Sequence, residues 1–287
     1  MAKKSKNENR SADLRELLSA GDDTPLSAID PRSTPGFDGG KKEGRAALAE
    51  GADRLSTLQE KLFAESMYGN DDAMLLVLQG MDTSGKGGVV RHVVGLVDPQ
   101  GVQHRAFKSP TAQELKHNFL WRVRRELPRP GMIGVFDRSH YEDVLIHRVR
   151  ELSPPQEVEK RYGAITKFED KIASSGTRVL KVMLHISRDE QESRLAKRLR
   201  RPDKYWKYSP VDVDDRAYWD QYQEAYQVAI DRTNTPDAPW YVVPADRKWY
   251  ARLAIQRLLT ATLEDLNLGW PPATFDVDVE KKRLAAS

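Results

Sequence analysis

The sequence predicts an α/β fold in which a five-stranded parallel sheet carries helices on both faces. Short apolar runs alternate with longer segments of helical periodicity, an order that is typical of parallel strands joined by crossover helices. A glycine-rich segment directly follows the first run and opens a helix, which is where such sheets bind ligands. The predicted strands lie at residues 73–79, 102–108, 132–136, 179–186 and 240–243.

The predicted helices surround this sheet and one more helix precedes it. The preceding helix covers about 44–67, where Leu48, Leu55, Leu58 and Leu62 follow helical spacing. The later helices are predicted at 88–97, 111–126, 140–149, 158–174, 188–201, 213–233 and 248–266.

We expect one folded domain at residues 43–270, with a short extension at each end. Residues 1–42 are polar and rich in Gly, Pro, Ser and Lys, which predicts a flexible, poorly packed N-terminal arm with one amphipathic patch near 14–18. The C-terminal tail at 271–287 begins with two prolines and is expected to lie on the surface as a strap.

Composition limits the possible classes of protein. Of the 287 residues, 39% are hydrophobic and 31% are charged, a globular rather than a disordered balance. The absence of cysteine excludes disulfides and thiolate metal sites and favours a cytoplasmic location. The sequence shows neither a signal-peptide core nor an apolar run long enough for a membrane span, so we expect no membrane partner.

The segment GMDTSGK matches the G-x-x-x-x-G-K pattern of a phosphate-binding P-loop. The first predicted strand runs into it and a helix follows, so backbone N–H groups, the helix N-terminus and Lys86 all favour a phosphate. A plain glycine-rich turn is the alternative, but such a turn would not need the lysine at this spacing. The residues predicted to contact phosphate or nucleotide here are Gly80, Thr83, Ser84, Gly85, Lys86, Gly87 and Gly88.

Two acids are predicted to bind a divalent metal ion. Gly87 stands where P-loops usually have the Ser or Thr that binds Mg²⁺, so another ligand is required. Asp82 inside the loop would repel phosphate unless a cation lay between them. Asp137 ends the third predicted strand at the ligand-binding edge of the sheet and resembles a Walker B acid, with Arg138 directed toward phosphate. The alternatives are that Asp82 caps the turn and Asp137 caps the next helix.

Residues 188–210 are predicted to form a basic lid. Arg194, Arg198 and Arg201 recur at spacings of four and three residues, which places them on one face of the predicted helix. Residues 194–207 hold seven Lys or Arg against a single acid. Lids in this position close over the transferred phosphate, and this many cations suggest a polyanion longer than one terminal phosphate. A solvated helix face followed by a basic loop is the alternative.

These motifs together resemble polyphosphate kinase family 2, through GMDTSGKGG, FDRSHY and RLAKRLRRPDKYWK. The resemblance implies a P-loop kinase fold and reversible phosphoryl transfer between inorganic polyphosphate and nucleotides, with Mg²⁺ or Mn²⁺ as cofactor and assembly into homodimers or homotetramers. The segment FKSPTAQELKHNFLWRV resembles the subgroup that accepts both nucleoside mono- and diphosphates. The resemblance also implies site roles for Lys86, Asp82, Asp137 and Arg138, and for the lid cations Arg194, Arg198, Arg201 and Lys204.

Two other functions fit part of the sequence. An ATP-dependent nucleoside monophosphate kinase would share the P-loop and lid, but Gly87 and the long basic run speak against it. A nucleic-acid-binding protein would account for the basic stretch with Tyr205, Trp206 and Tyr208 interleaved. It would leave the P-loop and Asp137 unexplained, so nucleic acid is not an expected partner.

Overall fold

The computed structural model describes residues 14–21 and 24–287, and it confirms the predicted α/β fold. Its five strands form one parallel sheet in the order β2-β3-β1-β4-β5. Every predicted strand is present, with ends that shift by two residues or fewer. The strands are β1 (Ala73–Gln79), β2 (Val102–Ala106), β3 (Ile133–Asp137), β4 (Thr177–His185) and β5 (Trp240–Pro244).

Helices connect the strands, and no helix in the described part of the chain is long and apolar enough to cross a membrane. Residues 14–18 are helical as well. The other helices are α1 (Lys41–Glu50), α2 (Ala52–Ser66), α3 (Lys86–His92), α4 (Trp121–Arg124), α5 (Ile146–Val149), α6 (Pro155–Ser174), α7 (Arg188–Leu199), α8 (Pro210–Asp214), α9 (Trp219–Thr233), α10 (Lys248–Glu264) and α11 (Val277–Ala285).

The central strand β1 is buried on both sides because each face of the sheet carries its own hydrophobic core. Leu75 and Val77 point to the core that α6 and α9 cover. Met74, Leu76 and Leu78 point to the opposite core, which α2, α3 and α10 cover. This alternation follows from the two-residue period of a strand, and it explains why the sequence shows a continuous apolar run here.

Several helical predictions differ from the structure. Those at 88–97 and 140–149 each consist of a short α-helix and a 3₁₀ turn, and α9 begins at Trp219 rather than at 213. The helix predicted at 44–67 is broken at Gly51 into α1 and α2, and a side chain there would meet the Gln256 amide at 3.0 Å. The segment 111–126 forms a short 3₁₀ turn and α4 instead of one helix, because the Asn118 side chain accepts the N–H of Leu120 and interrupts it. The predicted helices at 158–174, 188–201, 213–233 and 248–266 are present as α6, α7, α9 and α10.

The described part of the N-terminal segment is packed against the domain, in contrast to the poorly packed arm that its composition predicts. Leu14 and Leu18 join the core beneath α10, and Leu26 is buried in the other core. A few apolar residues at helical spacing are enough for this docking, and average composition does not register them. The rest of the predicted arm lies outside the described residues, and the domain limits stay predictions.

The C-terminal tail contains helix α11 rather than an extended strap. Asp276 accepts the N–H groups of Asp278 and Val279 and thereby caps the start of this helix. No residue of α11 is buried, so the helix is held by its own hydrogen bonds rather than by packing within this chain.

A buried ion pair joins the sheet to the turn that follows β3. Lys181 Nζ on β4 lies 2.6 Å from Glu169 Oε2 on α6, and both side chains are fully buried. The Tyr141 hydroxyl donates to Glu169 Oε1 at 2.9 Å, and His140 Nε2 lies 3.0 Å from the same oxygen. The cluster therefore fixes the backbone just beyond Asp137.

We predict that Lys181→Met lowers the free energy of unfolding by about 3–5 kcal/mol, because it leaves the Glu169 carboxylate buried without its partner. Urea unfolding followed by circular dichroism would measure the change. The double variant Lys181→Met with Glu169→Gln should regain part of the loss, since no unpaired charge is left. An unfolding midpoint equal to that of the parent would contradict this pairing.

Candidate active site

The loop between β1 and α3 takes a backbone path that needs glycine. Gly80 has φ +142°, and a side chain there would lie 2.7 Å from the Leu184 carbonyl oxygen. Gly85 has φ +124° and directly precedes α3, while Thr83 adopts φ +64°. A left-handed threonine is strained, and such strain is typical of loops whose backbone is shaped for a ligand.

Lys86 folds back into this loop. Its Nζ donates to the carbonyl oxygen of Gly80 at 2.6 Å and reaches that of Met81 at 3.4 Å. Burial and the nearby Arg138 guanidinium lower the pKa of Lys86, and surrounding carboxylates oppose this shift. An anion bound in the loop would favour the charged ammonium further.

The end of β3 brings an acid and an arginine to the same loop. Asp137 is the last residue of the strand, and Arg138 follows with φ +63°. Arg138 Nη2 donates to Asp82 Oδ1 at 3.0 Å. Burial alone would lower the pKa of Arg138, but the carboxylates of Glu142 and Asp82 raise it. The structure thus joins P-loop and strand-end residues in one charged cluster, as the sequence predicts.

These groups open into a cavity of about 660 Å³ that reaches the lid. Every predicted site residue lines this cavity except Gly80, which lies behind the loop. Lys197 and Lys207 of the predicted lid also line it, together with three cations that the prediction did not include: Arg91, Lys248 and Arg252.

The predicted lid is present, but its helix ends sooner than predicted. Helix α7 ends at Leu199, so Arg201 lies beyond it in extended backbone and does not share a helical face with Arg198. Arg198 Nη1 donates to Asp212 Oδ2 at 3.0 Å. The Arg201 guanidinium lies 2.8 Å and the Lys204 ammonium 3.0 Å from the Asp203 carboxylate. These three lid cations are therefore paired with acids in the lid or just after it.

The sequence predicts that Arg194 contacts phosphate, whereas in the structure its guanidinium contacts Glu190 and backbone carbonyl oxygens. Its side chain is 4% exposed, and its Nε donates to Glu190 Oε1 at 2.8 Å. The other four N–H groups donate at 2.6–2.9 Å to the carbonyl oxygens of Thr83, Ser84, Ala245 and Asp246. All five donors of the guanidinium are thus in use. Arg194 holds the P-loop against the lid helix and the end of β5.

Two acids of the site were absent from the sequence prediction. Burial raises the pKa of Glu142, although the Arg138 and Lys86 cations oppose the shift. Asp212 lines the cavity, and its burial raises its pKa as well. Glu142 could have been predicted as a site residue, because it stands shortly after the Asp-Arg-Ser segment. Asp212 could not, because only the folded chain brings it to the cavity.

We predict that Arg194→Lys loosens the P-loop, because an ammonium cannot reproduce five hydrogen bonds in this planar arrangement. Each carbonyl left without a donor costs about 1–3 kcal/mol. Hydrogen exchange of the amides at residues 82–86 should therefore become faster. Arg200→Lys, which changes an exposed arginine of the same region, is the matched control. Unchanged exchange in Arg194→Lys would contradict the positioning role.

Comparison with known proteins identifies the family of the chain. Residues 39–268 match the family model described as Polyphosphate kinase 2 (PPK2). An AMP/ADP-polyphosphate phosphotransferase of Meiothermus ruber is 47% identical over 246 residues, which cover 86% of this chain and 91% of the relative. An ADP-polyphosphate phosphotransferase of Rhodopseudomonas palustris is 42% identical over 256 residues, which cover 85% and 87%.

Among solved structures, the crystal structure of Polyphosphate Kinase 2 from Arthrobacter aurescens TC1 superimposes with a TM-score of 0.94. The two chains are 54% identical, and the match covers 96% of this chain and 97% of the other. Sequence and structure therefore agree on the same assignment: the chain belongs to the polyphosphate kinase 2 family.

Proposed function

We propose that this protein transfers phosphoryl groups reversibly between inorganic polyphosphate and nucleoside mono- and diphosphates. The observation that carries the proposal is the charge of the cavity, where eleven Lys or Arg side chains face three Asp side chains around the P-loop. One terminal phosphate is satisfied by two or three cations. A cavity with this surplus suits a polyanion better than a single phosphate group. The names of the relatives from Meiothermus ruber and Rhodopseudomonas palustris support the same substrates.

The roles of the residues follow from where charge develops. In phosphoryl transfer the attacking and leaving oxygens are in line, and the charge spreads over the oxygens of the group in flight. Lys86 and Arg138 are placed to stabilise this charge, and Arg198 would do so when the lid closes over the cavity. The attacking oxygen of a nucleotide phosphate is already anionic, so the reaction needs no general base from the protein.

The acids of the cavity fit Mg²⁺ or Mn²⁺. Asp82 and Asp137 offer carboxylate oxygens, the ligands that hard divalent cations prefer. No group of three or more His, Asp or Glu side chains could hold a metal ion within residues 14–21 and 24–287. Two carboxylates, with phosphate oxygens and water as the other ligands, are how Mg²⁺ is usually bound at phosphates. A bound ion would neutralise charge on the phosphate oxygens.

Two wider properties belong to the same proposal. The protein acts in the cytoplasm, an inference that rests on its lack of cysteine. It assembles as a homodimer or homotetramer, as the family resemblance implies.

We predict that the purified protein converts AMP first to ADP and then to ATP with polyphosphate and Mg²⁺ and without added ATP. A time course that separates the three nucleotides by chromatography would measure this. Lys86→Ala should lower the rate by about 10² or more, because it removes a cation from the group in flight. Lys167→Ala, at an exposed lysine on α6, is the control. Conversion of ADP alone, with AMP untouched, would restrict the proposal to diphosphates.

We predict that Asp82→Asn lowers the apparent affinity for Mg²⁺ by about tenfold or more, because a neutral amide binds a hard cation poorly. Titrating activity with Mg²⁺ in the parent and the variant would give both the midpoint and the maximal rate. Asp82 also pairs with Arg138, so the two roles must be separated. A lower maximal rate with an unchanged Mg²⁺ midpoint would show that Asp82 acts through Arg138 and does not bind the metal ion.

A further inference from the structure

A second basic groove adjoins the active-site cavity. It has a volume of about 360 Å³ and is lined by residues of α1, α7 and α10 and of the turn after β5. Lys197, Lys248 and Arg252 line both the groove and the active-site cavity, so these three residues form the wall that the two spaces share. The groove extends the cavity from the P-loop toward the N-terminal helix α1. None of its cations was singled out by the sequence motifs except Lys197, through its place in the basic run.

Two pairs of cations line the groove from two different helices. Lys41 and Arg45 lie one turn apart on α1, and Lys248 and Arg252 lie one turn apart on α10. Residues four apart share one face of a helix, so each pair presents its charges to the same side. Gly44 makes this arrangement possible, because any side chain there would overlap the Trp249 ring of α10.

The acids of the groove do not balance these cations. Glu190 accepts a hydrogen bond from Arg194 at 2.8 Å. Asp246 accepts from the backbone N–H of Ser187 at 2.8 Å and from its hydroxyl at 2.7 Å. Within the described residues, no ion pair involves the four cations of the two helices, which are Lys41, Arg45, Lys248 and Arg252.

The cations are also close enough to disfavour one another. Partial burial lowers the pKa of Lys248 to about 8, and the nearby Arg194, Lys197 and Arg252 contribute to that shift. Burial and the cations of Arg45, Arg194 and Arg91 lower the pKa of Arg252 in the same way. Like charges that the acids of the groove do not balance favour binding of an anionic ligand, which relieves their repulsion.

Arg252 connects the groove to the phosphate loop. Its Nη2 would lie 3.4 Å from a side-chain carbon at Gly88, in the first turn of α3. The absence of that side chain leaves the guanidinium room beside the start of the helix. Cations therefore lie on both sides of the boundary between cavity and groove: Arg252 and Lys248 line the cavity and the groove, and Arg45 and Lys41 line the groove beyond them.

We propose that this groove binds the part of the polyphosphate chain that is distant from the transferred phosphoryl group, so that it sets how strongly the enzyme prefers long chains. This inference rests on the proposed function. The chemistry of the groove matches a repeating anion without apolar groups. Its one aromatic residue, Trp249, packs edge to face against Phe37 at 5.7 Å and against Tyr250 at 6.0 Å, so it is engaged in packing and offers no stacking site for a nucleotide base.

The test compares two donors of different length. Lys41→Ala with Arg45→Ala removes two exposed side chains of α1 and should leave the fold intact. The KM for long-chain polyphosphate should rise about three- to tenfold, as expected for the loss of two exposed charge contacts, with kcat unchanged. The KM for tripolyphosphate should stay close to that of the parent, because so short a donor is held at the P-loop and lid.

The matched control is Lys167→Ala with Lys171→Ala. These two exposed lysines have the same spacing on α6, which lies on the opposite face of the sheet. The control should leave both KM values unchanged. An unchanged KM for long chains in the α1 variant would overturn the proposal. An equal rise in KM for both donors would overturn the proposal as well. Lys41 and Arg45 would then act through the overall electrostatic field of the site and not by binding the distant part of the chain.

A binding measurement separates this proposal from the proposed function. Calorimetric titration of the parent and the α1 variant with long-chain polyphosphate, without nucleotide, reports the groove directly. If polyphosphate binds more tightly to the parent than to the α1 variant, and the parent transfers phosphoryl groups to nucleotides, both the groove proposal and the proposed function are supported. Tighter binding to the parent without any transfer would refute the proposed function and leave the groove as a polyphosphate site. Equal binding to both proteins would refute the groove even if the enzyme is active.

Discussion

Cations crowded at one edge of the sheet repel one another, and the fold offsets this repulsion with oxygen atoms of its own. Lys86 donates a hydrogen bond to the Gly80 carbonyl oxygen, Arg138 donates to the Asp82 carboxylate, and Arg198 donates to the Asp212 carboxylate. These intramolecular contacts therefore hold the three cations in defined positions around the cavity.

The rigid part of the molecule holds this edge in place. Arg138 keeps its left-handed backbone because both sides of it are fixed: its N–H donates to the Leu78 carbonyl of β1, and the next turn is tied to the buried Lys181 and Glu169. On the other side of the loop, Arg194 connects the P-loop to the lid helix and to the end of β5. Changes in the position of the lid are thus linked to the loop through a fully hydrogen-bonded side chain.

Much of the fold could be predicted because its signals are local. Strands buried on both faces give continuous apolar runs, and the P-loop needs a glycine and a lysine at fixed spacing. What the sequence did not reveal depends on distant contacts. The break at Gly51 lies beside Gln256, whose amide donates to the Leu48 carbonyl oxygen at 2.7 Å, and the docking of Leu14 and Leu18 follows from a core formed mainly by later residues.

The site was predicted to the same extent and for the same reason. Lys86, Asp82 and Asp137 stand in motifs whose chemistry can be deduced from residue type and spacing, and the structure places all three in one cavity. Arg194 stands in a motif too, but the partners of its guanidinium come from the P-loop and from the loop after β5. Only the tertiary structure reveals that all five donors of this arginine are used by Glu190 and by backbone carbonyl oxygens.

Paired and unpaired cations contribute differently to such a site. A cation that already contacts an acid exchanges one negative partner for another when substrate binds, so its net gain in the ground state is small. It contributes more where charge is redistributed during transfer, which assigns Arg138 and Arg198 to the rate rather than to affinity. The cations of the groove lose no acid when substrate arrives. On the proposed function, affinity for a long polyanion should therefore come from Arg45, Lys248 and Arg252, at some distance from the reacting phosphate. The chemistry should then depend on the paired residues at the P-loop and lid.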